Sequence, residues 1–373
     1  MRVLLSVVGT RGDVQPVIAL ALEVRERGHD VRLCLPPNFI EWAQGLGFVA
    51  TPVGIEMRAP RPAAGNGAAA TKPMPDLITD QFDSIGAAAK GCDIILGANA
   101  HQYAARSIAE IHGIRYINAL YAPTALPADD NTRVWNERSL ERVNANRRRL
   151  GLTPIDDVLR HIVTDHPLLT IDPKLASAPS ISGMVIVQTG AWLLEDSSPL
   201  PSDVEDFLEA GQPPVYFGFG SMPVVGDTSR TLIEAARAVG RRAIVSQGWA
   251  ELELIDQASD CIAVGDVNHQ ALFPRVATVV HHGGAGTTHA AARAGAPQVV
   301  VPMFSDQPFW ASRVRDLGIG TSIPIAELTA NRLASALHEV SDPAVAQRAN
   351  SVAGQIVVDG VKVAAQYLVT QVK

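Results

Sequence analysis

Short apolar runs recur along this chain, separated by longer stretches in which apolar and polar positions follow helical spacing. Alternation of that kind predicts α/β units built around parallel sheets. In the first half, strands are expected at residues 3–8, 31–35, 94–96 and 116–120, with helices at 15–27, 39–46, 77–90 and 103–112 between them. A second series is expected to place strands at 215–219, 243–246, 261–264, 276–280 and 298–301, each followed by a helix. Residues 195–214 are rich in Pro and acidic groups and read as an interdomain linker with one short helix near 203–210. The tail 343–373 looks helical, and its last part, 356–373, is expected to pack back on the first domain. Residues 59–75 are rich in Ala, Pro and Gly without periodicity and read as a mobile loop of the kind that gates ligands.

A length of 373 residues agrees with two domains, each with its own core. The expected layout is a doubly wound domain over 1–194, the linker 195–214, a second doubly wound domain over 215–355 and the terminal helix. Both sheets would then turn their carboxyl ends to a central cleft, where ligands of such sheets bind. An apolar content of 47% is ordinary, whereas a formal charge of −7 and a pI near 5.8 argue against a binder of nucleic-acid phosphates. The one basic run, Arg147-Arg148-Arg149, reads as a solvated helix face. Cys34, Cys92 and Cys261 are odd in number and far apart, so neither a disulfide framework nor a zinc site is indicated. The run at 3–8 is too short for a signal-peptide core, and no run reaches the roughly 18 apolar residues of a membrane span. A monomeric, soluble, cytoplasmic protein with no membrane or nucleic-acid partner is expected.

Chemistry concentrates at strand ends. His281-His282-Gly283-Gly284-Ala285-Gly286-Thr287-Thr288 follows an apolar run and opens a helix-like segment. Its glycines permit a sharp turn and close approach of a ligand, and the following helix offers free N–H groups and a positive dipole end to an anion. A capped turn with glycines for geometry is the plainer reading. The first strand ends in Gly9-Thr10-Arg11-Gly12-Asp13-Val14-Gln15-Pro16, which is not the G-x-G-x-x-G dinucleotide fingerprint. Asp13 is there either a helix N-cap or a carboxylate aimed into the cleft. Gly220 and Ser221 end another strand and can bring a backbone N–H and a hydroxyl to a phosphate. Trp249 either lines a nucleotide pocket or plugs a sheet edge. Asp306 and Gln307 suit sugar hydroxyls, although a helix cap also explains Asp306. There is no D-x-D triplet and no G-x-x-x-x-G-K-[ST] loop, so no metal is expected and an ATPase or kinase is disfavoured. His29, His112 and His338 read as surface or helix-end residues.

Taken jointly, the blocks at 9–16, 218–221, 281–288 and 306–310, in that order, resemble the inverting glycosyltransferases of the GT-B fold that include antibiotic, sterol and plant natural-product enzymes. Pro36-Pro37-Asn38, Gln188 to Trp192, Val215 to Ser221, Ser246 to Ala250 and Gly265 to Asn268 narrow the likeness to actinobacterial enzymes that glycosylate vancomycin-type and teicoplanin-type heptapeptide aglycones. The resemblance implies an acceptor-binding first domain, a nucleotide-sugar-binding second domain, and transfer from a dTDP- or UDP-activated donor to a glycopeptide hydroxyl without a metal or cofactor. It implies Asp13 as general base and Ser221, His282, Gly284, Gly286 and Thr287 as diphosphate contacts, with Gly220 and Ala285 beside them. Asp306 and Gln307 would hold the sugar, and Arg11 and Thr10 would flank the reaction centre, Arg11 on the donor side. Many relatives carry Trp at the place of Asp266, so base recognition would use Val267, backbone groups and Trp249. Met57 and Trp135 fall in the segments expected on the acceptor side. An intact Asp306-Gln307 pair implies a hydroxyl-rich sugar such as glucose or N-acetylglucosamine, because buried polar groups left unpaired are costly. Sterol, macrolide or aromatic polyketide acceptors are the alternative. A silent helper of a partner glycosyltransferase is the alternative of another class, against which stand the intact Asp13 and His282.

Overall fold

A computed structural model describes residues 1–56, 76–222 and 227–371, and the expected gating loop, with Met57, lies outside them. The chain divides into two compact units: Met1–Ile171 with Ala178–Leu194 and Asp359–Lys373, and Asp172–Ser177 with Glu195–Val358.

The first unit is built on seven strands: β1 (Arg2–Val7), β2 (Asp30–Leu35), β3 (Val49–Pro52), β4 (Ile94–Ala98), β5 (Arg115–Leu120), β6 (Leu168–Leu169) and β7 (Val187–Gln188). They pair in parallel in the order β3-β2-β1-β4-β5-β6-β7. β1 and β4 are apolar nearly throughout because helices cover both faces of the sheet. On one face Leu4, Cys34 and Ile95 pack with Ile78, Phe82 and Ile85 of helix Leu77–Ala88 and with Ile108 of helix Ala105–His112. Helix Arg11–Glu26 buries Val14, Val17, Ile18, Leu20, Ala21 and Val24, and the terminal helix Gly360–Thr370 lies against it. Arg27 Nη1 donates to Gln366 Oε1 at 2.7 Å across that contact.

Helix Asp129–Arg149 is anticipated only at its last three residues, because it carries few apolar positions and its buried side chains include Asn144, Asn146 and Arg147 beside Val143. The reading of the arginine triplet as a solvated face fails at its first member. Arg147 is only 4% exposed: Nε donates to the Thr153 carbonyl at 2.8 Å, Nη1 to Ser107 Oγ at 2.7 Å, and Nη2 meets Glu110 Oε2 at 2.9 Å. One guanidinium thereby ties its own helix to helix Ala105–His112 and to the Thr153 loop, which explains its burial.

The second unit repeats the plan with β8 (Val215–Gly218), β9 (Ala243–Ser246), β10 (Cys261–Val264), β11 (Thr278–His281), β12 (Gln298–Val300) and β13 (Gly320–Ser322), all parallel in the order β10-β9-β8-β11-β12-β13. One face packs Phe217, Val245 and Val280 on Leu232, Ile233, Leu333 and Leu337. On the other, Tyr216, Ile244 and Phe273 pack with Leu200, Val204 and Leu208. Residues 195–214 therefore do more than connect. Their helix, Ser202–Glu209, has a buried apolar stripe that completes the second core.

Candidate active site

In both sheets the strand order reverses beside the first strand of the series, between β1 and β4 and between β8 and β11. Loops leaving the carboxyl ends of strands diverge at such a point and open a crevice. The sequence blocks singled out above leave three of these four strands.

At the first reversal, Thr10 caps helix Arg11–Glu26 and Asp13 is its third residue. Asp13 is thus not the N-cap. Its Oδ2 accepts from the Thr10 N–H at 2.8 Å and from Thr10 Oγ1 at 3.3 Å, while Oδ1 accepts from Asn99 Nδ2 at 3.2 Å. The phenol of Tyr121, at the end of β5, donates to the Asp13 carbonyl at 2.8 Å. Burial pushes the Tyr121 phenol well up, and the Asp13 charge adds to that, so it stays protonated. Gly9 has φ +134°, and a Cβ there would lie 2.2 Å from Asp13 Oδ2, so only glycine lets the chain pass so close to the carboxylate. Arg11 stacks over Trp42 at 5.7 Å, within the first unit. Trp135 lies in an aromatic group with His101 and Tyr103, at centroid distances of 5.2 and 5.6 Å.

At the second reversal, His281 is the last residue of β11 and shapes the turn. The Gly283 N–H donates to its Nδ1 at 3.1 Å, which leaves the proton on Nε2, 2.9 Å from Gln298 Oε1. Burial lowers the His281 pKa to about 3. Gly283 takes φ +92° with Val300 against it, and Gly284 is the N-cap of helix Ala285–Arg293. The N–H groups of Ala285, Gly286 and Thr287 open that helix and have no carbonyl a turn behind them. Thr288 Oγ1 is occupied, donating to the Gly284 carbonyl at 2.9 Å.

The half-buried His282 ring lies between two glycines. A Cβ on Gly284 would sit 2.5 Å from its Nε2, and one on Gly220 would sit 3.1 Å from its Cε1. Burial lowers the His282 pKa to about 4 against the opposing effect of a hydrogen bond with the Gly218 backbone, so the ring is neutral at pH 7. Its Nδ1 is buried without a hydrogen-bond partner among the described residues. Gly220 is held from behind by the next loop, where the Trp249 N–H donates to its carbonyl at 3.0 Å. A neutral imidazole and the open N–H groups at a helix start thus share a place suited to an anion, with Gly220 packed against the ring.

Gln307 adjoins this turn, with its carbonyl 3.1 Å from a Cβ built on Gly283. Its side chain is largely committed: Oε1 accepts from the Met303 and Phe304 N–H groups at 2.8 and 3.1 Å, and Nε2 faces Met222 Sδ at 3.3 Å. Asp306 Oδ2 accepts from the Trp310 indole at 2.9 Å. Burial raises the Asp306 carboxyl and that indole bond lowers it, with a net rise. Val267 packs against the core cluster around Phe273, and Asp266 is exposed. Asn99 and Tyr121 were missed by sequence reasoning; their place just past the ends of β4 and β5 was the available signal.

The fold and these strand-end loops define a GT-B glycosyltransferase. Solved structures show the same architecture: the glycosyltransferase of kitacinnamycin, at a TM-score of 0.74 with 22% identity over 99% of this chain and 98% of that one, and the glycosyltransferase VinC in complex with dTDP, at 0.68 with 22% identity over 95% of each. Residues 3–125 match the profile of the glycosyltransferase family 28 N-terminal domain, and residues 230–361 that of the C-terminal domain of erythromycin biosynthesis protein CIII-like proteins. The chain is 43% identical to the vancomycin aglycone glucosyltransferase of Amycolatopsis orientalis over 100% of its own length and 98% of that protein, and 40% identical to the dTDP-epi-vancosaminyltransferase of the same organism over 94% and 93%. It belongs to this family of nucleotide-sugar glycosyltransferases.

Proposed function

We propose that the protein transfers a sugar from a dTDP- or UDP-activated donor to a hydroxyl of a glycopeptide antibiotic aglycone, with inversion at the anomeric carbon. Similarity along the whole chain to the vancomycin aglycone glucosyltransferase supports the acceptor class, and the dTDP-linked names among its relatives support the donor class. The observation that carries the chemistry is the His282 ring, neutral and wedged between Gly220 and Gly284 at the start of a helix, with Nε2 on the Gly284 side. In this reading the first unit binds the acceptor and the second binds the donor.

The reaction is a single displacement. The acceptor oxygen bonds to the anomeric carbon, the bond from that carbon to the diphosphate oxygen breaks with its electron pair going to the leaving group, and Asp13 takes the hydroxyl proton. A phenol is a far weaker acid than a carboxylic acid, so the proton moves late, as positive charge develops on the sugar. Most of the acceleration then comes from positioning and from stabilisation of the departing diphosphate by His282, Ser221 and the N–H groups of Ala285, Gly286 and Thr287. Asp306 and Gln307 orient the sugar, Trp249 and Val267 the nucleotide base, and Arg11, Thr10 and Trp135 lie on the way to the reacting groups. Among the described residues no cluster of three or more His, Cys, Asp or Glu is placed to hold a metal ion, and no helix is long and apolar enough to cross a membrane. Incubation with dTDP- and UDP-glucose and a vancomycin-type aglycone tests the proposal through product mass and anomeric configuration. A β-linked glucoside from an α-linked donor is expected; an α-linked product, or transfer only to a sterol or macrolide, contradicts it.

A further inference from the structure

Asn99, one residue past β4, has φ +63°, in the left-handed region that costs most residues energy and that asparagine tolerates better than most. Its amide orientation is determined by its partners. Oδ1 accepts from the His101 N–H at 2.8 Å, and Nδ2 donates to the Val8 carbonyl at 2.6 Å. Turning the amide over would set oxygen against a carbonyl and nitrogen against an N–H, so the group facing Asp13 is a donor. Its carbonyl is fixed in turn by Asn118 Nδ2 at 3.1 Å, from the buried interior of β5. The bent backbone thus serves an end: it turns a donor from the loop after β4 across to the carboxylate after β1.

We propose that Asn99 is a positioning residue for the transfer reaction, holding the Asp13 carboxylate through Oδ1 while the Thr10 N–H holds Oδ2, so that the carboxylate keeps one orientation toward the acceptor proton. This rests on the reading of Asp13 as base. Two donors on two oxygens define the plane of the carboxylate, and with Tyr121 on the main-chain carbonyl, Asp13 is held from β4 and β5 as well as from its own helix. The alternative is an asparagine that serves only its own turn, accepting from His101 two residues on.

Asn99→Gly separates the two, because glycine adopts the left-handed backbone readily and lacks the amide. The expected result is kcat lower by about tenfold or more, with KM for donor and acceptor within about twofold and an unaltered melting curve. In an Asp13→Asn background the same change should cost less than about twofold, since it acts through that carboxylate. Asn99→Asp keeps the turn but sets a like charge beside the base, so the acidic limb of the pH profile of kcat should move to higher pH. Arg11, His101 and Tyr121, the other titratable groups around this loop, are present in parent and variant alike. Asn99→Gly with kcat within about twofold of the parent overturns the proposal, as does an unmoved acidic limb in Asn99→Asp should the glycine variant not fold. In either case an inactive Asp13→Asn leaves the base intact, whereas an active Asp13→Asn removes the base and this proposal together.

Discussion

The two sheets share one strand order over six strands, yet the loops at their reversals carry opposite chemistry. After β1 the chain presents a carboxylate as the third residue of a helix, held by donors on both oxygens. After β11 it presents donors and no acid: a glycine turn, a neutral imidazole and the bare start of a helix. The topology determines where each unit gathers its loops, and a handful of loop residues determines whether that place offers a carboxylate or a set of donors.

The contrast can be broken at either end. The largest effect is expected from Asp13→Asn, which should lower turnover by a factor on the order of 100 or more while the melting temperature is kept, in a steady-state assay with saturating donor. Next, Gly284→Val should push a side chain into His282 and raise the donor KM by about tenfold or more with a smaller change in kcat. A donor KM equal to the parent's would show that the anion does not bind at this turn. Trp310→Phe removes the donor to Asp306 Oδ2, leaving that carboxylate under-paired; a loss of a few-fold in kcat/KM is expected, greater for glucose than for deoxysugar donors. If all donors respond alike, Asp306 does not read the sugar hydroxyls.

The smallest effect is on stability. His161 and His281 have pKa values lowered to about 3 and His282 to about 4, in each case chiefly by burial, so all three are neutral in the folded protein at pH 6. In the unfolded chain they titrate near 6.5. The unfolded state therefore binds more protons between pH 6.5 and about 3, and the stabilisation present above pH 6.5 is lost as pH falls through that window. The melting temperature should decline on acidification from pH 7 to 5, less steeply in His161→Gln; equal slopes would mean that this imidazole is not neutral in the fold.

Strands built on three or more consecutive apolar residues were legible in the sequence, as at Ala243–Ser246 and Cys261–Val264. Short ones were not. Leu168–Leu169, Val187–Gln188 and Gly320–Ser322 are held by neighbouring strands and carry no pattern of their own. Helix Asp129–Arg149 was hidden because it buries Asn144, Asn146 and Arg147, polar groups whose partners only the fold supplies. The same holds at the site. The glycine turn announces itself because backbone geometry dictates residue type there, but an asparagine after a strand looks like any turn residue until β4 is set beside β1. Gln307 looked free for a sugar, and its amide oxygen is taken by two N–H groups of its own loop.

The division of labour between the two loops is tested most directly by titrating nucleoside diphosphate into the Asp13→Asn and His282→Ala proteins by calorimetry. Asp13→Asn should bind dTDP or UDP as the parent does, and His282→Ala about tenfold or more weakly. Loss of binding in Asp13→Asn with retention in His282→Ala would assign the anion to the first loop and contradict the account.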